Sequence, residues 1–158
     1  MVRVLSAALS PPANYFPYLE TLRRYLTSIN GRRMVQKNYK VPNSKIVLEK
    51  GTIVQIPIYA IHHDADIYPD PEKFDPERFT PEEVEKRHKY AFIPFGAGQH
   101  TCIGMRLTNI ICKIALAKVL INFAFKLDDR TPSSLKFKPK HLTPTPEGDG
   151  IFVNFKKI

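Results

Sequence analysis

The spacing of apolar residues changes repeatedly along the chain, and each change predicts an element. Residues 17–26, PYLETLRRYL, combine strong helix formers with a leading proline and predict a short helix, ended by Asn30-Gly31. From Met34 to Ile58 the pattern becomes β-branched. VQKNYKV, KIVLEK and TIVQIPI, separated by Pro42-Asn43-Ser44 and Gly51-Thr52, predict a small antiparallel sheet. Residues 68–81, YPDPEKFDPERFTP, are too dense in proline for regular helix or central strand and predict a meandering connection. FIPFGAGQHTCIG, residues 92–104, predicts a glycine-rich loop. It leads into apolar residues at 103, 107, 110, 111, 114, 117, 120 and 121, which predict a long helix from Ile103 to Phe123. Lys113 and Lys118 are costly at a bilayer centre, so a deeply buried helix of a soluble protein is the expectation. A closing hairpin is predicted at Gly148-Asp149-Gly150, followed by IFVNF.

Composition narrows the classes. The 158 residues, 43% hydrophobic, suit one domain with one core, and 25% charged residues argue against disorder. Proline, at 14 residues, is about twice its usual share, in keeping with a loop-rich body. Two cysteines cannot build a disulfide framework, and no Cys-x-x-Cys pair offers a zinc or c-type haem site. Val4 to Leu9 is too short to span a bilayer and makes a poor signal peptide, so the sequence reads as soluble and intracellular. A net charge of +9 invites a nucleic-acid reading. The basic residues are scattered, however, and neither a phosphate loop nor an RNA-binding aromatic strand is present. A solvated basic surface, or a face for an acidic partner protein, fits better.

Cys102 closes the glycine-rich loop just before the long helix. Free N–H groups and the positive dipole end of a first helical turn favour a thiolate there. Gly98 and Gly104 let backbone approach a large flat ligand without a Cβ between them, and Phe95 can cover one side. His100 adds a polar donor two residues before the sulfur. Such a thiolate suits an axial haem ligand; a lone cysteine at a helix start is more often a small buried hydrophobe, and a cysteine nucleophile is a rival. Cys112, about 15 Å further along the same helix, cannot bridge to Cys102 and reads as a packed helix residue. His62-His63-Asp64 invites a metal reading, but adjacent histidines on an extended chain point in opposite directions, so a structural role is expected.

Three motifs in register carry a family resemblance. Phe-x-x-Gly-x-His-x-Cys-x-Gly at residues 95–104 resembles the haem-binding signature of the cytochrome P-450 superfamily, with His100 where arginine is usual. Glu20-Thr21-Leu22-Arg23 resembles the family's Glu-x-x-Arg helix motif, and residues three apart share a helix face. FDPERF at 74–79 resembles its Pro-Glu-Arg-Phe element, and the wording of residues 40–79 is close to insect microsomal members.

The resemblance implies a mainly α fold with a small β-sheet, the C-terminal, proximal, haem-ligating part of the cytochrome P-450 fold. It covers residues 17–158 as a partial domain and leaves 1–16 unassigned. It implies haem b (iron protoporphyrin) with Cys102 as axial iron ligand, Phe95, Gly98, His100 and Gly104 around the pocket, and His100 toward a propionate. Glu20, Arg23 and Arg78 would form a buried structural cluster beneath the haem. The activity implied is a monooxygenase acting on a lipophilic substrate, with NADPH electrons delivered by a reductase flavoprotein. Arg87, Lys89, Arg106 and Lys113 would receive that flavoprotein. Such enzymes sit on the endoplasmic reticulum membrane through an anchor that this sequence does not show. The distal Ala/Gly-Gly-x-Asp/Glu-Thr-Thr motif is also absent. The alternative is a non-catalytic truncated remnant with weak or no haem binding. In the family the long helix packs inside a larger helical body, and without that body its apolar face would lie exposed.

Overall fold

A computed structural model describes residues 15–132, 135–138, 143 and 145–158. Residues 1–14, most of the unassigned segment 1–16, lie outside the described residues. Helix α1 spans Tyr15–Arg24, two residues earlier at both ends than its pattern predicts. Pro17 falls inside the first turn, where N–H groups have no helical partner in any case, so the ring costs nothing. The helix stops at Arg24, well before Asn30-Gly31; Arg23 and Arg24 complete its last turn, a favourable place for cations.

Strand β1 (Gly31–Met34) pairs antiparallel with β4 (Ile53–Ile56), Gly31 opposite Ile56 and Met34 opposite Ile53. Strands β2 (Tyr39–Lys40) and β3 (Val47–Leu48) pair with each other between them. The predicted small sheet is therefore one nested hairpin broken into two ladders, and its first strand lies earlier than VQKNYKV. The break is local. Asn38 Oδ1 accepts the Lys50 N–H at 2.9 Å, and Gly51 at φ 88° turns the chain, a conformation that favours glycine. Pro42-Asn43-Ser44 forms the tip, as predicted.

Helix α2 (Ile58–His62) follows at once. The histidine pair thus sits at the end of a helical turn, not on extended chain, because Ile61 and His63 N–H groups bond carbonyls three and four residues back. The proline-rich connection is irregular apart from a 3₁₀ turn at Pro76–Phe79, where Asp75 accepts the Glu77 N–H. Helix α3 (Pro81–Glu85) leads to the cysteine loop, which holds a second 3₁₀ turn at Gly98–His100. The core is small: Leu26, Ile58 and Ile93, flanked by Ile56, Ile61 and Ala97, lies between α1, α2 and the foot of that loop.

Helix α4 spans Met105–Asn122. The expectation of deep burial fails: Leu107, Ile110, Ile111 and Ile114 keep between 54% and 62% of their surface exposed. Among the described residues no element covers that face; beside it the Tyr18 hydroxyl donates to Asn109 Oδ1 at 2.7 Å. Past Asn122 the chain turns directly into strand β5 (Phe123–Leu127), which helical periodicity did not separate from the helix. Its partner is β6 (Val153–Lys157), Phe123 opposite Lys157 and Leu127 opposite Val153. The predicted closing hairpin is corrected accordingly. Gly148 and Gly150 do adopt positive φ, but their turn lies beside the bridge Phe137–Pro146, and the final strand pairs across a long connection. Phe155 packs on Phe123 and Phe125 with ring centres 6.1 and 6.3 Å away, cross-strand contacts that fix this register. Among the described residues no helix is long and apolar enough to cross a membrane.

Candidate functional site

The cysteine loop is shaped by its own backbone. Gly96 and Gly98, at φ 75° and 76°, turn the chain twice, and the Cys102 N–H then bonds the Phe95 carbonyl at 2.9 Å. Thr101 closes the inner turn through both its N–H and its hydroxyl on the Gly98 carbonyl. Cys102 therefore stands two residues outside Gly104, the N-cap of α4, and its carbonyl accepts the Met105 N–H at 3.2 Å. Its thiol is exposed and free. A Cβ built on Gly104 would lie 3.8 Å from the sulfur, so the bare backbone of the helix start flanks it. Phe95 is half-buried at the loop's base, while Gly98 and His100 are exposed beside Cys102 in sequence. Cys112 is also free and partly covered.

Below the loop lies a buried ionic cluster. Glu20 and Arg23 are both fully buried. The Arg23 guanidinium donates to both Glu20 carboxylate oxygens, at 2.7 and 2.8 Å, the bidentate geometry that makes such pairs strong. Its remaining donors reach the carbonyls of His62 at 2.7 Å and Pro71 at 2.6 Å, and Glu20 also accepts the Asp75 N–H at 3.1 Å. Arg78 joins more loosely. Its Nε is 3.8 Å from Glu20, and its Nη2 donates to the Asp70 carbonyl at 3.0 Å. The three cluster residues expected from sequence are thus together, with Arg78 held as much by backbone as by charge.

Two connections tie cluster to loop. The Tyr68 hydroxyl, wholly buried, donates to the Ala91 carbonyl at 3.1 Å, and the Arg23 and Arg87 guanidinium groups lie on its ring at 5.2 and 4.8 Å. Burial raises the Tyr68 phenol above its ordinary value, keeping it a neutral donor. His62 makes the second connection: its Nε2 accepts the Ile93 N–H at 3.0 Å at the foot of the loop. The structural role expected for the histidine pair holds, for a different reason. Burial lowers the His62 imidazole to about 4, and His63 stacks on Tyr59 at 3.9 Å.

Sequence reasoning missed Tyr68, His62 as a loop contact, and Arg33. The last reaches from β1 to the cysteine loop, its Nη2 3.4 Å from the Ala97 carbonyl. Only the alternation of β1 shows Arg33 facing inward, and that strand begins before the β-branched pattern does. Of the basic residues expected to receive a flavoprotein, Arg87 is turned inward over Tyr68 and Phe79 and is held by the fold, whereas Lys89 and Arg106 are exposed.

These residues fit a haem. A free, exposed thiol on a loop lacking Cβ atoms at 96, 98 and 104, with His100 exposed in the same loop and Arg33 reaching its Ala97 carbonyl, is a donor set for soft ligation of iron. Comparison with known proteins agrees in kind. The cytochrome P-450 family model matches residues 19–152. The chain is similar to the probable cytochrome P-450 6a14 of Drosophila melanogaster, 45% identical over 139 residues, which cover 88% of this chain and 27% of that protein. It is similar to cytochrome P-450 6B4 of Papilio glaucus, 44% identical over 135 residues, 85% of this chain and 27% of that protein. It is also 40% identical over 150 residues to cytochrome P-450 6A1 of Musca domestica, 90% of this chain and 29% of the relative. The chain thus spans little more than a quarter of the length of these curated relatives.

Proposed function

The chain belongs to the cytochrome P-450 family, and on that premise we propose that it is the proximal, haem-holding portion of a haem-thiolate monooxygenase. It corresponds to the C-terminal third of a whole enzyme, with residues 17–158 as the partial domain. The observation that carries this reading is the exposed, unbridged Cys102 thiol on a glycine loop whose foot is tied to the buried Glu20–Arg23 pair. Bound haem b would supply the oxygen chemistry of the family, one oxygen atom entering a lipophilic substrate and the other leaving as water.

The chain's own residues hold and orient. Cys102 presents the thiolate, and the backbone bond from its N–H to Phe95 fixes the direction from which the sulfur approaches. Gly98 and Gly104 would let the backbone approach the bound ring without a Cβ between them, and Phe95 would cover one side of it. His100 and Arg33 bring positive or donor groups to the carboxylates of such a ligand. Electrons from NADPH arrive through a reductase flavoprotein, for which Lys89, Arg106 and Lys113 form the basic face. In the whole protein the place of work is the endoplasmic reticulum membrane, as in the microsomal members its wording resembles.

The exposed apolar face of α4 leaves room for a second reading, a non-catalytic remnant that holds haem weakly or not at all. A carbon monoxide difference spectrum of the reduced, haem-supplemented chain separates them. The first reading expects a red-shifted thiolate band that Cys102→Ser abolishes. An unchanged band in Cys102→Ser refutes Cys102 as ligand, and no haem uptake by the wild type selects the remnant.

A further inference from the structure

We propose that His62 is a proton-sensitive latch, holding the foot of the cysteine loop to the Glu20–Arg23 cluster through its neutral ring and releasing it when the ring gains a proton. The geometry is a relay through one residue. The His62 carbonyl accepts from Arg23 Nη1 at 2.7 Å, while Nε2 accepts the Ile93 N–H at 3.0 Å, nine residues before Cys102. An Nε2 that accepts cannot carry hydrogen, so the neutral ring carries it on Nδ1. That Nδ1 is buried and has no hydrogen-bond partner among the described residues. The ring itself is wholly buried, stacked on Phe92 with centres 5.3 Å apart.

A proton on Nε2 would set donor against donor at Ile93 and place a cation in a buried site, where the Arg23 backbone offsets only part of the cost. The surrounding charges do not compensate. From α1, Arg23 is a cation, and both oxygens of Glu20 are turned to it. From the segment after α2, Tyr68 is neutral and carries the further cation Arg87 on its ring. His63 and Tyr59 on its own helix offer no anion, and Phe92 and Ile93 carry no charge. Burial, the largest cause, and the nearby Arg23 charge outweigh the opposing hydrogen bond with the Arg23 backbone and hold the folded-state value down, from 6.5 to about 4. Because that value is depressed, the closed form is fully stable above the unfolded 6.5 and loses stability as pH falls from there toward about 4. The consequence for ligand binding rests on the proposed function; the latch does not.

The test is amide hydrogen exchange of the full chain from pH 7.5 to 4, each rate divided by that of an unstructured amide at the same pH. Linkage predicts that opening at Ile93 rises roughly tenfold per pH unit below about 6, reaching on the order of a hundredfold at pH 4. The Gly51 amide, bonded to the Val35 carbonyl at 2.8 Å in the distant hairpin, is the reference and should change far less. His62→Gln keeps an acceptor that does not titrate, so its Ile93 protection should stay flat within about threefold. Flat protection at Ile93 in the wild type overturns the latch, and this arm needs no variant. Equal acid loss at Ile93 and Gly51, or the same acid loss in His62→Gln, also overturns it. Because the amide signal is read without haem, failure of haem uptake would refute the proposed function and leave this result standing.

Discussion

Neutralising Glu20 should unfold this protein or bring it close to unfolding. Glu20→Gln removes the negative partner of a guanidinium that is wholly buried and cannot shed its proton. One carboxamide oxygen can still accept from Arg23, but the amide nitrogen then faces the second guanidinium donor, which now lies 2.8 Å from a carboxylate oxygen. Breaking one side of such a buried pair costs about 3–5 kcal/mol, against a total of about 5–15 kcal/mol for ordinary domains. The exposed pair Lys86–Glu83 is the internal control, because side chains that are 66% and 49% exposed contribute below about 0.5 kcal/mol. Urea unfolding followed by far-UV circular dichroism would compare Glu20→Gln with Glu83→Gln. The double variant Glu20→Leu/Arg23→Met should lose less than the two single changes together, since it leaves no unpaired charge. A loss at Glu20→Gln below about 1 kcal/mol, or equal to that of Glu83→Gln, would refute the view that this pair holds the meander and the cysteine loop in place.

Two further outcomes are expected. Arg106→Glu should weaken salt-sensitive binding of the proposed reductase partner at least several-fold while leaving the unfolding midpoint unchanged, because the side chain is exposed; unchanged binding would remove Arg106 from the proposed docking face. Ile110→Lys and Ile114→Lys should each alter stability by less than about 0.5 kcal/mol and raise solubility, because those side chains are 55% and 54% exposed. A loss of about 2 kcal/mol or more in urea unfolding would show that something covers this face in solution.

The ionic cluster was the most legible part of the site. Glu20 and Arg23 are three apart on one helix, and helical geometry alone puts them within reach. The glycine turns at 96 and 98 were legible because each glycine sits where the chain needs positive φ. Element boundaries were less so. The apolar run through Phe123 and Phe125 satisfies helical and strand spacing alike, and only pairing with β6 decides that the helix stops at Asn122. Tyr68, His62 and Pro71 stayed hidden because their roles are hydrogen bonds to or from backbone carbonyls and N–H groups, which leave no mark on residue type.

The sequence by itself determined the local chemistry: which residues can be helix, turn or loop, which sulfur stands free before a helix, and which charges share a face. Those are properties of neighbours in the chain, set by backbone sterics and side-chain spacing. The tertiary structure alone decided what is buried. It placed two opposite charges and a neutral imidazole in the interior and left the most apolar helix uncovered, reversing what composition predicts for each. Burial depends on which distant segments come together, and among the described residues no segment packs over the outer face of α4.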